Sequence, residues 1–210
     1  TESRVLINGP SGSGKELVAR KIHKLSKRHK SPFVVLNGAL LDVKKYESEL
    51  FGEEKDNGSI SYGSLEKATG GTLLIDEISE IPLETQSKIL RVLIDQKFKR
   101  LNGNNDVNVD VRLICSSSKD LKDEIKIGNF REDLFHRLNV FSINVLPLSK
   151  RIEDIPLLVE YFIENIYTNV DFQYKTDYNY GILNIYDFSM NLVDSFECSQ
   201  FNKRKEQYRY

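Results

Sequence analysis

The octet GPSGSGKE, Gly9 to Glu16, restricts the possible folds of this chain more than any other feature. VLIN precedes it and ELVARKIHKL follows it, so the order is apolar strand, glycine-rich turn, helix. That order builds an anion site, because the backbone amides of the turn and of the helix N-terminus converge on one point. The general pattern is G-x-x-x-x-G-K-[ST], in which lysine reaches the β- and γ-phosphates and the final hydroxyl holds Mg²⁺. Gly9, Pro10, Ser11, Gly12, Ser13, Gly14 and Lys15 comply, whereas Glu16 stands in place of the hydroxyl.

A phosphate loop of this kind sits in an α/β fold, and the rest of the chain agrees. Short β-branched and leucine-rich runs alternate with longer amphipathic ones, the signature of βαβ units and a parallel sheet. Five strands are predicted at Arg4–Ile7, Phe33–Leu36, Thr72–Ile75, Val109–Cys115 and Val140–Val145. Helices are predicted at Lys15–Arg28, Leu83–Lys97 and Ile152–Ile166, the second carrying Leu90, Leu93 and Ile94 at helical spacing. FREDLFHRL, Phe130 to Leu138, reads as a short amphipathic helix, and Glu66 to Gly71 as a helix end closed by glycine. The sequence after Tyr167 is rich in Tyr, Asn and Asp and holds no sustained period, which places a boundary near Ile166, with 1–166 as the core and 167–210 as a weakly specified tail.

GGTLLIDE, Gly70 to Glu77, supplies the second chemical element. An apolar strand that ends in two acids suits Mg²⁺-dependent hydrolysis of a phosphoanhydride. Asp76 can hold the metal, and Glu77 can orient and deprotonate the attacking water. The plainer reading is a buried strand capped by two solvated acids.

Composition limits the alternatives. Lysine and arginine total 30 against 31 acids, for a net charge of −1, so no general field draws in nucleic acid or an anionic membrane. The two cysteines, Cys115 and Cys198, form no C-x-x-C pair and His23, His29 and His136 show no metal-ligand spacing, which predicts a reduced, cytoplasmic setting without a zinc site. No run approaches the ~18 apolar residues of a membrane span. RKIHKLSKRHK, Arg20 to Lys30, is expected to be a solvated helix end and not a DNA patch.

With GPSGSGKE, VLNGALL, ELFGEEK, GGTLLIDE, ETQSKILRVL, VDVRLI and FREDLFHRLNVF in that order, the chain resembles the AAA+ domain of sigma-54-dependent transcription activators from Arg4 to about Ile166. Phosphate loops of that family end in Lys-Glu, so the resemblance explains Glu16 as a family trait. It implies an AAA+ P-loop NTPase fold, ATP and Mg²⁺ as cofactors, and a ring-forming homo-oligomer. It also implies that Asn37 pairs with the catalytic Glu77 and that Arg131 and Arg137 reach into a neighbouring subunit's site as arginine fingers. By residue type alone, Asn37 is a turn former, and the two arginines are helix-surface charges paired with Glu132 or Asp133.

The chain departs from the family in three places. The sigma-contacting motif GAFTGA is missing from EEKDNGSISYGSLEKATGG, where Asp56–Ser59 makes a tight polar turn instead. Its absence counts against contact with the RNA polymerase sigma factor. A subgroup, the NtrX-type response regulators of nitrogen metabolism, resembles this sequence in lacking GAFTGA and in LETQSKILRVLIDQ and FREDLFHRL. Ser118 stands where the wider family has a sensor asparagine; Ser116, Ser117 and Ser118 can donate to phosphate or cap the helix that starts near Asp120. No helical lid and no helix-turn-helix domain is legible after Ile166, so DNA contact is expected only through a domain this sequence does not contain.

Overall fold

The computed structural model describes residues 2–41, 45–167, 175–179, 182–186 and 192–197. It divides into two compact units, Thr1–Lys150 and Arg151–Tyr210.

The first unit is built on a five-stranded parallel sheet. Its strands are β1 (Val5–Asn8), β2 (Phe33–Asn37), β5 (Thr72–Asp76), β8 (Arg112–Ser117) and β9 (Phe141–Asn144), in the spatial order β2-β5-β8-β1-β9. All four pairings are parallel, with Val5 opposite Ile114 and Phe141, Phe33 opposite Thr72, and Leu74 opposite Ile114. The central strands are buried on both faces, as parallel sheets require: Thr72, Leu73, Leu74 and Ile75 are at most 1 % exposed. The five expected strands are all present, each within a few residues of its predicted ends.

Helices cover the two faces. Helix α1 (Lys15–Lys24) packs with Val5, Ile7, Leu74 and Ile114 through Ala19, Val18 and Ile22. The opposite face holds the larger cluster, where α2 (Tyr46–Phe51), α3 (Ser64–Lys67), α4 (Leu83–Asp95), α5 (Leu121–Lys126) and α6 (Glu132–Leu138) enclose Leu36, Leu73, Ile75, Leu113 and Leu134. On α4 the buried Thr85, Gln86, Ile89 and Val92 recur at helical spacing, so one stripe faces the core.

Two short hairpins decorate this face. Strands β3 (Gly52–Glu54) and β4 (Ile60–Tyr62) pair antiparallel around the turn at 55–59, which is closed by Lys55 N–H on Ser59 O at 2.9 Å and Gly58 N–H on Lys55 O at 2.8 Å. This is the tight turn expected in place of the longer family loop. Strands β6 (Lys97–Lys99) and β7 (Asp106–Asn108) form the other hairpin. Sequence reasoning missed it and instead began β8 too early, at Val109, because KFK and DVN are too short and polar to show a period of two. Arg100 locks the hairpins together, with Nε and Nη2 on Glu66 at 2.9 and 2.6 Å and Nη1 on Glu54 at 3.0 Å.

The second unit contains α7 (Ile155–Tyr167), preceded by a 3₁₀ turn at Ile152–Asp154. Three antiparallel strands follow, β10 (Lys175–Asn179), β11 (Ile182–Tyr186) and β12 (Leu192–Glu197), in the order β10-β11-β12. The sequence showed no period here; ILNIY at β11 is the apolar run that pairs on both sides. Cys198 lies outside the described residues.

Candidate functional site

The C-terminal ends of β1, β2, β5 and β8 bring together residues far apart in the chain. The loop after β1 wraps around Lys15. Ser13 N–H donates to Pro10 O at 3.2 Å, and Gly12 and Gly14 adopt left-handed φ of 74° and 87° that let the turn close into α1. At Gly9 a side chain has no room: a Cβ there would meet Val145 O at 2.4 Å and Ser13 Oγ at 2.9 Å. The loop thus brings backbone N–H groups and the N-terminus of α1 together, the donor chemistry that phosphate oxygens need. Ser11 is exposed at its tip and Ser13 is buried inside it.

Lys15 is only 6 % exposed. Its ammonium donates to Gly9 O at 2.9 Å and Pro10 O at 3.2 Å and forms an ion pair with Glu77 Oε1 at 3.0 Å. A buried cation needs such partners, because desolvating it alone is costly. Glu16, next along the helix, pairs instead with Arg20 one turn later, at 2.6 Å, on the exposed surface of α1.

The two acids at the end of β5 have separate surroundings. Asp76 accepts hydrogen bonds from Ser116 Oγ and, at 3.4 Å, from Asn37 Nδ2. Glu77 turns out of the strand with φ 53° and ψ 57°, a left-handed conformation costing on the order of 1 kcal/mol for a residue with a Cβ. That turn aims its carboxylate at β8 and the loop. Oε2 accepts from Ser118 N–H at 2.8 Å and from Ser118 Oγ at 2.7 Å, while Oε1 faces Lys15. Burial pushes the Glu77 carboxyl up, but the Ser118 hydroxyl and amide and the Lys15 ammonium outweigh it and hold it below the ordinary 4.5.

These contacts revise the reading of Asn37 and of the three serines. Asn37 reaches Asp76, and its Oδ1 accepts from Ala39 N–H at 2.9 Å as a turn former does. Helix α5 is capped by Asp120, whose Oδ1 accepts from Lys122 N–H at 2.8 Å, and not by the serines. The serines divide three ways: Ser116 donates to Asp76 and accepts from Glu77 N–H at 3.3 Å, Ser117 donates to Lys119 O, and Ser118 donates to the Glu77 carboxylate. The strand register sets this division, since β8 lies directly beside β5 with Ile75 opposite Cys115.

Arg131 and Arg137 lie apart from this cluster. Arg131, at the start of α6, is paired with Asp133 at 3.0 and 2.6 Å, and Arg137 is exposed. Among the described residues neither bonds to Lys15, Asp76 or Glu77. Sequence reasoning missed Gln86, which is fully buried: Nε2 donates to Ile81 O at 2.8 Å and Asn129 O at 3.0 Å, and Oε1 accepts from Arg131 N–H at 2.9 Å. Gln86 therefore fixes where α6 begins and where Arg131 stands. An amide on the buried stripe of an amphipathic helix was the available signal.

Beside the loop opens a cavity of about 510 Å³, bounded by Asn8, Pro10, Ser118, Phe135, Ser142 and Asn144, among others. Its volume falls within the range of small-ligand sites. Among the described residues no three His, Cys, Asp or Glu side chains converge as a metal cage, and no helix is long and apolar enough to cross a membrane. Asp76 and Glu77 offer the one or two carboxylates that Mg²⁺ uses when phosphate oxygens and water complete its shell.

Comparison with known proteins agrees with this fold. The nitrogen assimilation regulatory protein NtrX of Azorhizobium caulinodans is 53 % identical over 167 residues, covering 79 % of this chain and 37 % of that protein. The DNA-binding transcriptional regulator NtrC of Escherichia coli K12 is 49 % identical over 164 residues, covering 76 % and 35 %. The crystal structure of NtrX from Brucella abortus in complex with ATP superposes with a TM-score of 0.76 at 50 % identity, covering 82 % of this chain and 38 % of that one. The chain thus spans little more than a third of the length of these relatives. The sigma-54 interaction domain matches residues 1–144. With the phosphate loop on β1, the acid pair on β5 and the five-stranded parallel order between them, the chain belongs to the sigma-54 interaction domain family of AAA+ P-loop NTPases.

Proposed function

We propose that residues 1–166 form an ATP-binding and ATP-hydrolysing module of an NtrX-like two-component response regulator that controls transcription, with 167–210 as a separate tail. The observation that carries this reading is the convergence of Lys15, Asp76 and Glu77 at the sheet's C-terminal edge, with Lys15 Nζ 3.0 Å from Glu77 Oε1. The ATP complex of the Brucella NtrX supports the choice of nucleotide.

Bound Mg²⁺-ATP supplies a γ-phosphoryl group that is open to in-line attack once its charge is neutralised. The backbone N–H groups of Ser11, Gly12 and Gly14 and the Lys15 ammonium hold the phosphates and offset that charge, whereas the Gly9 and Ser13 N–H groups donate to Ser117 O and Pro10 O. Asp76, at the end of β5, would hold the Mg²⁺ and so help to neutralise the phosphate charge. Glu77 accepts the proton of the attacking water, a role suited to a carboxylate that is ionised at neutral pH. Asn37 orients this acid pair through Asp76. Arg131 and Arg137 act on the site of an adjacent copy in a homo-oligomeric ring, where an arginine finger contributes about 10³ to 10⁵ in rate. The tight turn at 55–59 stands where the family carries its sigma-contacting loop, which counts against contact with a sigma factor.

Calorimetric titration with Mg²⁺ and a non-hydrolysable ATP analogue tests the reading. Micromolar binding by the parent and its loss in Lys15→Ala is the expected result; equal binding by both overturns it. A second reading, a nucleotide-responsive oligomerisation module without turnover, is favoured by the tie between Glu77, Lys15 and Ser118. Turnover that rises with self-association and vanishes in Glu77→Gln excludes it.

A further inference from the structure

The partners of Glu77 differ from those the family resemblance implies, and the difference assigns a job to Ser118. Both donors of Ser118 go to the same oxygen, Glu77 Oε2, at 2.8 Å from the amide and 2.7 Å from the hydroxyl. The other oxygen, Oε1, faces the Lys15 ammonium at 3.0 Å. Asn37 contributes nothing to this carboxylate; its amide reaches Asp76. Glu77 is thus fixed at one end by β8 and at the other by the phosphate loop. Its left-handed backbone keeps the side chain in that direction.

We propose that Ser118 is a positioning residue that clasps Glu77 against Lys15, so that Glu77 and an incoming phosphate compete for the same ammonium. This inference rests on the nucleotide reading above and adds how that site is controlled. Charge-assisted hydrogen bonds are the strong ones, and two on one oxygen fix its direction as well as its place. A phosphate at the loop draws on the three Lys15 protons that Gly9 O, Pro10 O and Glu77 Oε1 share, so its binding competes with the Lys15–Glu77 pair. Ser118, which holds the far oxygen, sets how readily that pair gives way. In this assignment the hydroxyl acts on the carboxylate and not on the γ-phosphate, and diphosphate and triphosphate feel it equally.

The test compares parent, Ser118→Ala and Ser118→Thr by calorimetry with ADP and with a non-hydrolysable ATP analogue. Loosening the clasp frees Lys15, so Ser118→Ala should bind both nucleotides more tightly, by about 3- to 10-fold, the share of a charged hydrogen bond left after the amide is retained. Ser118→Thr keeps the hydroxyl and should return to the parent's affinities. Selective weakening of the triphosphate analogue in Ser118→Ala would assign the hydroxyl to the γ-phosphate and overturn the proposal, as would unchanged affinity for both. Amide hydrogen exchange at Ser118 supplies a readout that needs no nucleotide. Glu77→Ala should speed that exchange about 10-fold by removing the acceptor; an unchanged rate also overturns the clasp. A parent that binds no nucleotide would overturn the functional reading and the competition with it, while the exchange rate still decides whether Ser118 holds Glu77.

Discussion

Gln86 accepts a hydrogen bond from the backbone N–H of Arg131 at 2.9 Å, so the second residue of FREDLFHRL is held by the first turn of the buried face of α4. The same amide donates to Ile81 O and Asn129 O, which ties the segment after the acid pair to the start of α6. One buried side chain thus lies between Ile81, four residues after Glu77, and Arg131. If Arg131 completes a neighbour's site, that side chain stands between one site and the next.

Complementation should reveal a shared site. Arg131→Ala and Glu77→Gln subunits should each be nearly inactive alone, by about 10³-fold or more. Mixed at concentrations that favour assembly, they should regain measurable phosphate release, because some seams then join an intact Arg131 to an intact Glu77. A mixture no more active than its components would place Arg131 in its own subunit's site or in none.

Glu77 should also leave a mark on stability. Its folded carboxyl titrates below the ordinary 4.5, so the unfolded chain binds its proton first as pH falls. The stabilisation is complete above the unfolded value and is lost as pH drops through the lower folded value. Urea unfolding between pH 7 and pH 3 should therefore fall more steeply for the parent than for Glu77→Gln. Parallel curves would show that Ser118 and Lys15 do not favour the ionised form.

Arg100 should be the costliest charged residue to remove from the hairpin face. It is 12 % exposed, bonds Glu54 and both oxygens of Glu66, and lies over the Tyr62 ring at 5.6 Å. Arg100→Ala strands two half-buried carboxylates and should destabilise the fold by about 2 to 4 kcal/mol in chemical denaturation. Arg100→Lys should recover only a fraction, since an ammonium cannot reproduce the planar fork. A loss below about 1 kcal/mol would mean that solvent replaces these bonds.

Cys115 lies in β8 at 1 % exposure, and burial pushes its thiol well above the ordinary range. In a Cys198→Ser background, its alkylation at pH 8 should follow the unfolding rate and accelerate in urea. Rapid modification of the native chain would show that β8 opens locally.

Much of the fold was legible because the sheet strands are apolar and bounded by strong punctuation: GPSGSGK after β1, GG before β5, NG after β2. The acids and the lysine declared themselves by residue type and position. Their partners did not. Three adjacent serines offer identical chemistry, and only the β5–β8 register, with Ile75 opposite Cys115, decides which meets Asp76 and which meets Glu77. Asn37 was placed at the correct strand end, but a side chain at the end of β2 can reach either acid, and geometry alone selects Asp76. Arg28 was read as a solvated cation of a basic helix end; it is 18 % exposed and bridges Glu2 and Asp110. Both partners lie far from it in sequence, beyond any local pattern.

The order β2-β5-β8-β1-β9 has a consequence for how the chain comes to be folded. β1 is made first, yet its sheet neighbours are β8 and β9, more than a hundred positions later: Asn8 lies opposite Ser117 and Asn144. Until those distant segments have been synthesised and docked, Lys15 has a loop but no acid pair beside it. Such high contact order makes folding slow and leaves apolar strand edges open to other chains in the meantime. A ligand that needs β1, β5 and β8 together recognises only the finished sheet and by mass action pulls late intermediates toward it. During synthesis in the cell, the nucleotide pool would then govern the yield of native protein.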